Sequence, residues 1–177
     1  TQLRIVSGKY RSKRITAPKS IKARPTTDFA KESLFNILGN WFDLDDIEVL
    51  DLFAGTGNIS FEFGSRGATR ITSVDIAHQS DKFIHKMGRE MELPLTSIKS
   101  DVFRFLRNHT SKYDIIFADP PYALDKIKDI PTLVFERDLL KPKGILIVEH
   151  DTNTDFSKEE RFLELRNYGK VNFSFFE

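Results

Sequence analysis

The chain has 177 residues, 40% of them hydrophobic, a net charge of +1 and no cysteine. That length suits one compact domain with enough apolar content to bury a core, and the missing thiols exclude disulfides, thiolate zinc sites and cysteine nucleophiles. No apolar run approaches the ~20 residues of a membrane span and the N-terminus does not resemble a signal peptide, so the expectation is a cytoplasmic protein with no membrane partner.

The near-neutral charge hides an asymmetry. Residues 1–24 hold eight basic residues (Arg4, Lys9, Arg11, Lys13, Arg14, Lys19, Lys22, Arg24) and no acid, leaving 19 basic against 26 acidic residues beyond them. Cations in that density suit a phosphate backbone, whose counterions they would release. Alternation in Leu3-Arg4-Ile5-Val6 and Lys13-Arg14-Ile15, around Ser7-Gly8-Lys9-Tyr10, predicts a β-hairpin in place of a solvated tail. Residues 1–26 therefore read as a basic hairpin extension on a domain spanning 27–177.

After the connection carrying Pro18 and Pro25, helical spacing of Phe29, Leu34, Phe35, Ile37, Leu38 and Trp41 predicts a helix over 28–41, with Thr27 or Asp28 as its cap. Strands and helices then alternate. Strands are expected at 48–53, 70–75, 96–99, 113–119 and 144–149, with helices at 59–66, 79–91, 102–108 and 126–135. Segments 162–166 and 171–175 flank Asn167-Tyr168-Gly169-Lys170 as a closing antiparallel hairpin. The order implies an α/β, Rossmann-like fold with a mostly parallel seven-stranded sheet and helices on both faces.

Chemistry-bearing residues gather where strands end. Strand 48–53 runs into Ala54-Gly55-Thr56-Gly57 and then a helix, a turn that lets a ligand approach the backbone and meet free N–H groups. The third glycine of G-x-G-x-x-G is replaced by Ser60. Asp75 ends the next strand, 24 residues after Asp51, where a carboxylate can take both hydroxyls of a ribose. Asp101 follows the third strand and can accept from an adenine amino group, cap helix 102–108, or do both. After the fourth strand, Asp119-Pro120-Pro121-Tyr122 combines a carboxylate, a rigid turn and an aromatic face, which suits a planar substrate bearing an amino group. His78, His85, His109 and His150 show no metal spacing, so no metal is expected.

These residues resemble a known family. Asp51-Leu-Phe-Ala-Gly-Thr-Gly, the acid at 75 and Asp119-Pro-Pro-Tyr are similar to the ordered motifs of class I S-adenosylmethionine-dependent methyltransferases. Leu3-Arg-Ile-Val-Ser-Gly-Lys-Tyr-Arg, Arg24-Pro-Thr-Thr-Asp28 and Lys31-Glu-Ser-Leu-Phe-Asn-Ile-Leu38 resemble one branch, the RsmD family, which methylates the exocyclic N2 of a guanine in 16S ribosomal RNA. The resemblance implies S-adenosylmethionine as cofactor. Gly55 and Gly57 would line its methionine part, Asp51 would face its amino group, Asp75 would hold the ribose, and Asp101 with the Val102 backbone would hold the adenine. Phe53 and Ile76 join this cofactor set. Asp119, Pro120 and Tyr122 would carry the transfer, and Arg4, Lys9, Arg11, Lys13, Arg14, Arg24, Thr26 and Thr27 the RNA contacts. One departure is Ile76-Ala77-His78, where many members are more polar after the acid.

Two features prune the chemistry. Methylation at carbon 5 of a pyrimidine proceeds through a thiolate adduct, which a chain without cysteine cannot form; exocyclic amines remain. A DNA adenine-N6 methyltransferase would carry a target-recognition insertion, for which the 43 residues between Asp75 and Asp119 leave no room. A non-catalytic ribosome-assembly module would not need the intact acids. The expected partner is ribosomal RNA in the small subunit or its precursor, met by a monomer.

Overall fold

The structure, a computed structural model, describes residues 1–23 and 26–177. The chain opens with β1 (Gln2–Arg4) and β2 (Arg14–Thr16), paired antiparallel with Leu3 opposite Ile15. α1 (Asp28–Trp41) follows, its start fixed by Thr27, whose hydroxyl accepts from the Ala30 amide at 3.1 Å. Then come β3 (Glu48–Leu52), α2 (Asn58–Ser65), β4 (Arg70–Asp75), α3 (His78–Glu90), β5 (Leu95–Lys99), α4 (Val102–Asn108), β6 (Tyr113–Ala118), α5 (Asp129–Glu136), β7 (Leu140–His150), β8 (Phe162–Tyr168) and β9 (Val171–Phe176).

The large sheet has the order β5-β4-β3-β6-β7-β9-β8, parallel from β5 to β7, with β9 antiparallel to β7 and β8 antiparallel to β9. This is the mostly parallel seven-stranded sheet with an antiparallel closing pair predicted above. The chain winds outward from β3 through β4 to β5, then returns to place β6 on the other side of β3. That reversal makes β3 and β6 the topological switch point, where the strand ends leave a crevice for a ligand.

Period-two alternation divides the core between the faces. Leu50, Leu52, Ile116, Ala118, Leu146 and Val148 pack toward Val102, Leu106, Ile130 and Val134 of α4 and α5. Val49, Ile115, Phe117, Ile145 and Ile147 pack toward Leu34, Phe35 and Leu38 of α1 and Ile59 and Phe63 of α2. A third cluster lies outside α2 and α3, where Leu3, Ile5, Ile15, Ala17 and Ile21 meet Phe61, Phe83, Ile84 and Met91. The hairpin thus has an apolar inner face and a cationic outer one.

Beyond shifts of a residue or two, three boundaries and one helix face differ from the sequence reading. Phe53 leaves the strand with φ of +59°, already part of the turn. The helix expected from 126 begins at Asp129, after a run of turns. β7 starts at Leu140 because its ladder with β6 slips between Tyr113 and Ile115. Phe29, counted on the apolar face of α1, is 65% exposed with its ring edge-to-face with Tyr168, while Trp41 lies edge-on to Phe175. The buried face of α1 is instead Ala30, Lys31, Leu34, Phe35 and Leu38.

Candidate active site

The arm is fastened before it can wall anything. Gly8 sits at φ of +94°, and a β-carbon there would lie 2.0 Å from the Ser65 carbonyl oxygen, so only glycine lets the hairpin reach the end of α2. The Lys9 amide donates to the Ser65 carbonyl at 2.7 Å, the Tyr10 amide to the Ser65 hydroxyl at 2.9 Å, and that hydroxyl to the Ser7 carbonyl at 2.7 Å. Glu62, fully buried, accepts from the Val6 and Ser7 amides at 2.9 and 3.1 Å, pairs with Lys31 at 2.9 Å and with Arg66 at 2.8 Å. Although burial opposes it, Lys31, the Val6 amide and Arg66 hold this carboxyl below its ordinary range. Lys31 also donates to the Arg4 carbonyl at 2.9 Å and to Asn58 Oδ1 at 2.7 Å, joining arm, α1 and the start of α2.

Between the arm and the strand ends lies a cavity of about 520 Å³, lined by Leu3, Ile21, Lys22 and Ala23 on the arm side and by Asp51, Phe53, Gly55, Asn58, Asp75, Ile76, Asp119 and Pro121 opposite. The volume falls within the range of small-molecule sites. Three carboxylates face it, and Lys22 is the only basic side chain lining it among the described residues.

Asp51 sits at the floor of this cavity and is buried. Its Oδ2 accepts from the Ser60 hydroxyl at 2.6 Å, and Ser60 lies 2.6 Å from the Ser73 hydroxyl. Burial pushes the Asp51 carboxyl up to about 7, against the hydrogen bonds from Ser60 and with a smaller push from Asp75. Ser60, which interrupts the dinucleotide glycine pattern, therefore has a purpose: it is the hydroxyl donor to this acid.

The glycine turn rests on Asp75. Its Oδ2 accepts from the Gly55 amide at 2.8 Å and its Oδ1 from the Ala77 amide at 2.9 Å, which leaves each oxygen further lone-pair capacity for a ligand hydroxyl. Gly57 has φ of +83° and packs so closely on Phe61 that a β-carbon would lie 2.7 Å from the ring. Phe53, strained into the left-handed region and edge-on to Phe103, completes this wall.

Asp119, half-buried, leaves β6 and joins the same cavity; its amide donates to the Leu52 carbonyl at 3.2 Å, clamping the two turns together. Pro120 is buried, Pro121 lines the cavity and Tyr122 is half-buried beside it. Asp101 is not brought into the cavity: it is exposed and caps α4, accepting from the Arg104 amide at 2.9 Å, with Val102 buried beneath.

Among the expected RNA contacts, Lys9, Arg11, Lys13 and Arg14 project from the exposed side of the arm, and Arg4 pairs with Asp28 at 3.2 Å. Thr26 lines the cavity, Thr27 caps α1, and Arg24 lies outside the described residues. No group of His, Asp or Glu that could hold a metal occurs among the described residues, nor a helix long and apolar enough to cross a membrane.

Sequence reasoning missed the arm segment 20–23 as a cavity wall, for which no residue pattern gave a signal. It also missed Glu149, buried at the end of β7, with Oε1 accepting from the Thr26 hydroxyl at 3.0 Å. Here a signal existed, since the series of acids closing successive predicted strands continues to it.

The family model described as conserved hypothetical protein 95 matches residues 3–177. The chain belongs to this family, the RsmD family. A curated relative from Buchnera aphidicola, named ribosomal RNA small subunit methyltransferase D, is 30% identical over 154 residues, covering 85% of this chain and 77% of its own. The fold matches the solved Escherichia coli protein yhhF with a TM-score of 0.87, 24% identity and 99% and 97% coverage of the two chains. It also matches the T. thermophilus 16S rRNA N2 G1207 methyltransferase RsmC, solved with AdoMet and guanosine, with a TM-score of 0.77, 19% identity and coverage of 100% of this chain and 49% of that one. The cavity fits the S-adenosylmethionine that the sequence resemblance implies: carboxylates for an ammonium and a diol, apolar Phe53, Ile59 and Ile76 for a ring, and a glycine turn for close approach.

Proposed function

We propose that this chain transfers a methyl group from S-adenosylmethionine to the exocyclic N2 amine of a guanine in small-subunit ribosomal RNA, acting in the cytoplasm as a monomer without a metal. The carrying observation is that Asp119 opens onto the cavity that also contains Asp51, Asp75 and the glycine turn. Donor and acceptor chemistry therefore share one space. Asp51 would face the methionine ammonium, Asp75 the ribose, and Gly55, Gly57, Phe53 and Ile76 the body of the cofactor, with Asp101 and Val102 at the adenine end.

The cofactor supplies an electrophilic methyl on a sulfonium. The guanine amine is a weak nucleophile because its lone pair is delocalised into the ring. With the Asp119 carboxylate and the Pro120 carbonyl each accepting one amine N–H, the nitrogen pyramidalises and its lone pair becomes available. A new N–C bond would form as the methyl–sulfur bond breaks, its electron pair staying on the neutral thioether of S-adenosylhomocysteine, and the amine would lose a proton during or after transfer, toward Asp119 or water. Fixed φ angles at Pro120 and Pro121 limit drift of the accepting carbonyl. Tyr122 offers a face on which a turned-out base can stack, at roughly 1–3 kcal/mol.

The basic outer face of the arm, with Lys9, Arg11, Lys13 and Arg14 exposed, supports RNA as acceptor, as does the name of the Buchnera relative. The test is transfer of a labelled methyl group to ribosomal RNA, naked and within isolated small subunits, followed by mapping of the modified nucleotide. A label at guanine N2 is expected; label on adenine, or on no RNA, overturns the reading.

A further inference from the structure

Four neighbouring parallel strands, β4, β3, β6 and β7, each close on an acid: Asp75, Asp51, Asp119 and Glu149. The first three line the cavity. The fourth does not, although β6 and β7 run in register to Ala118 opposite Val148, which sets Glu149 beside the start of the Asp119 turn. Alternation along β7 sends Glu149 to the same side of the sheet as Ile145 and Ile147, the side covered by α1. It is 0% exposed.

Burying a carboxylate is expensive unless hydrogen bonds compensate it. Thr26, 123 residues earlier, donates its hydroxyl to Glu149 Oε1 at 3.0 Å. Thr26 is itself a cavity wall, and the next residue caps α1. The bond therefore ties the arm-to-helix junction to the end of β7, on the acceptor side of the cavity.

We propose that Glu149 is a positioning residue for methyl transfer: through Thr26 it holds the wall that faces the acceptor beside Asp119. It does not itself line the cavity. Slack in that wall would let the acceptor amine drift from Asp119, and a displacement of about 1 Å can cost roughly a hundredfold in rate. The inference rests on the methyl-transfer reading above, and deepens it.

The test compares Thr26→Val, which removes the hydroxyl at constant shape, Thr26→Ser, which keeps it, Glu149→Leu, and the Thr26→Val/Glu149→Leu double variant. Turnover on ribosomal RNA, S-adenosylmethionine affinity by calorimetry and melting temperature are measured on each. Thr26→Val is expected to lose roughly tenfold to a hundredfold in kcat with cofactor affinity kept, Thr26→Ser to stay near wild type, and the double variant to fall no further than Glu149→Leu. Turnover of Thr26→Val equal to wild type overturns the proposal, as do losses that multiply in the double variant or a parallel loss of cofactor affinity. Should Glu149→Leu not fold, the Thr26→Val and Thr26→Ser contrast decides. Wild-type protein inactive on every RNA is a different failure, that of the methyl-transfer reading.

Discussion

The Ser60 hydroxyl donates to Asp51 Oδ2 at 2.6 Å in the floor of the cavity, where burial holds the acid near neutrality, with its carboxyl at about 7. In the folded chain Asp51 keeps a proton that the unfolded chain has released between about pH 4 and pH 7, so its contribution to stability declines as pH rises through that window. A bound ammonium favours the ionised form, so cofactor affinity should rise as pH climbs through about 7 and then level off. Calorimetry across that range checks the slope, and in Asp51→Asn the slope should vanish. Ser60→Ala removes a hydrogen bond that favours ionisation and should move the rise to higher pH.

Asp119→Ala should lower methyl transfer by at least ~10²-fold, the scale for removing one group aimed at the reacting centre. S-adenosylmethionine affinity should change little if Asp119 serves the acceptor, as proposed above. Single-turnover rates beside binding isotherms separate the two; near-normal turnover would remove Asp119 from the mechanism.

Gly8→Ala should be harmful far beyond its size. The new carbon would lie 2.0 Å from the Ser65 carbonyl oxygen, at a backbone angle that favours glycine. The arm must lift, and a destabilisation on the order of 2 kcal/mol or more is expected, lowering Tm by about 2–4 °C for each kcal/mol. Cofactor affinity should fall with it, because the lifted segment carries the cavity wall at 20–23.

Breaking the buried pair beneath the arm should be severe. Glu62→Ala leaves Lys31 buried without its carboxylate and strips the Val6 and Ser7 amides of their acceptor, for an expected loss of about 3–5 kcal/mol in chemical denaturation.

On α1, Leu34→Ala should cost about 2–5 kcal/mol, whereas Phe29→Ala should stay near neutral in stability. Equal losses would mean that Phe29 is packed and not exposed. That contrast shows where sequence periodicity stops: an apolar residue in the second position of a helix reads as core, and nothing local reveals that it lies largely exposed against Tyr168 of the edge strand.

Much else was legible. The buried faces of β3 and β6 and the acids that close them follow from apolar runs ending in Asp51, Asp75 and Asp119, because a parallel strand buried on both faces leaves its chemistry to its end. What could not be read were contacts between distant segments. Ser60 looked like a defect in a glycine motif, yet its value depends on Asp51 and Ser73 lying on adjoining strands. Nothing in the sequence around Lys31 shows that α2 brings Glu62 beside it and buries the pair. Asp101 illustrates the converse: it continues the series of strand-end acids, yet nothing in the series shows that it lies outside the cavity lining and caps α4.

The fastening of the arm also has a consequence for biosynthesis. Val6, Ser7 and Tyr10 hold side-chain acceptors that come 55 or 56 residues later in the chain. While the chain is being made, amino end first, eight cations precede the residues that fasten the arm. The arm cannot be fastened until Glu62 and Ser65 have been made, so the cavity wall at 20–23 is set in place only after α2 exists.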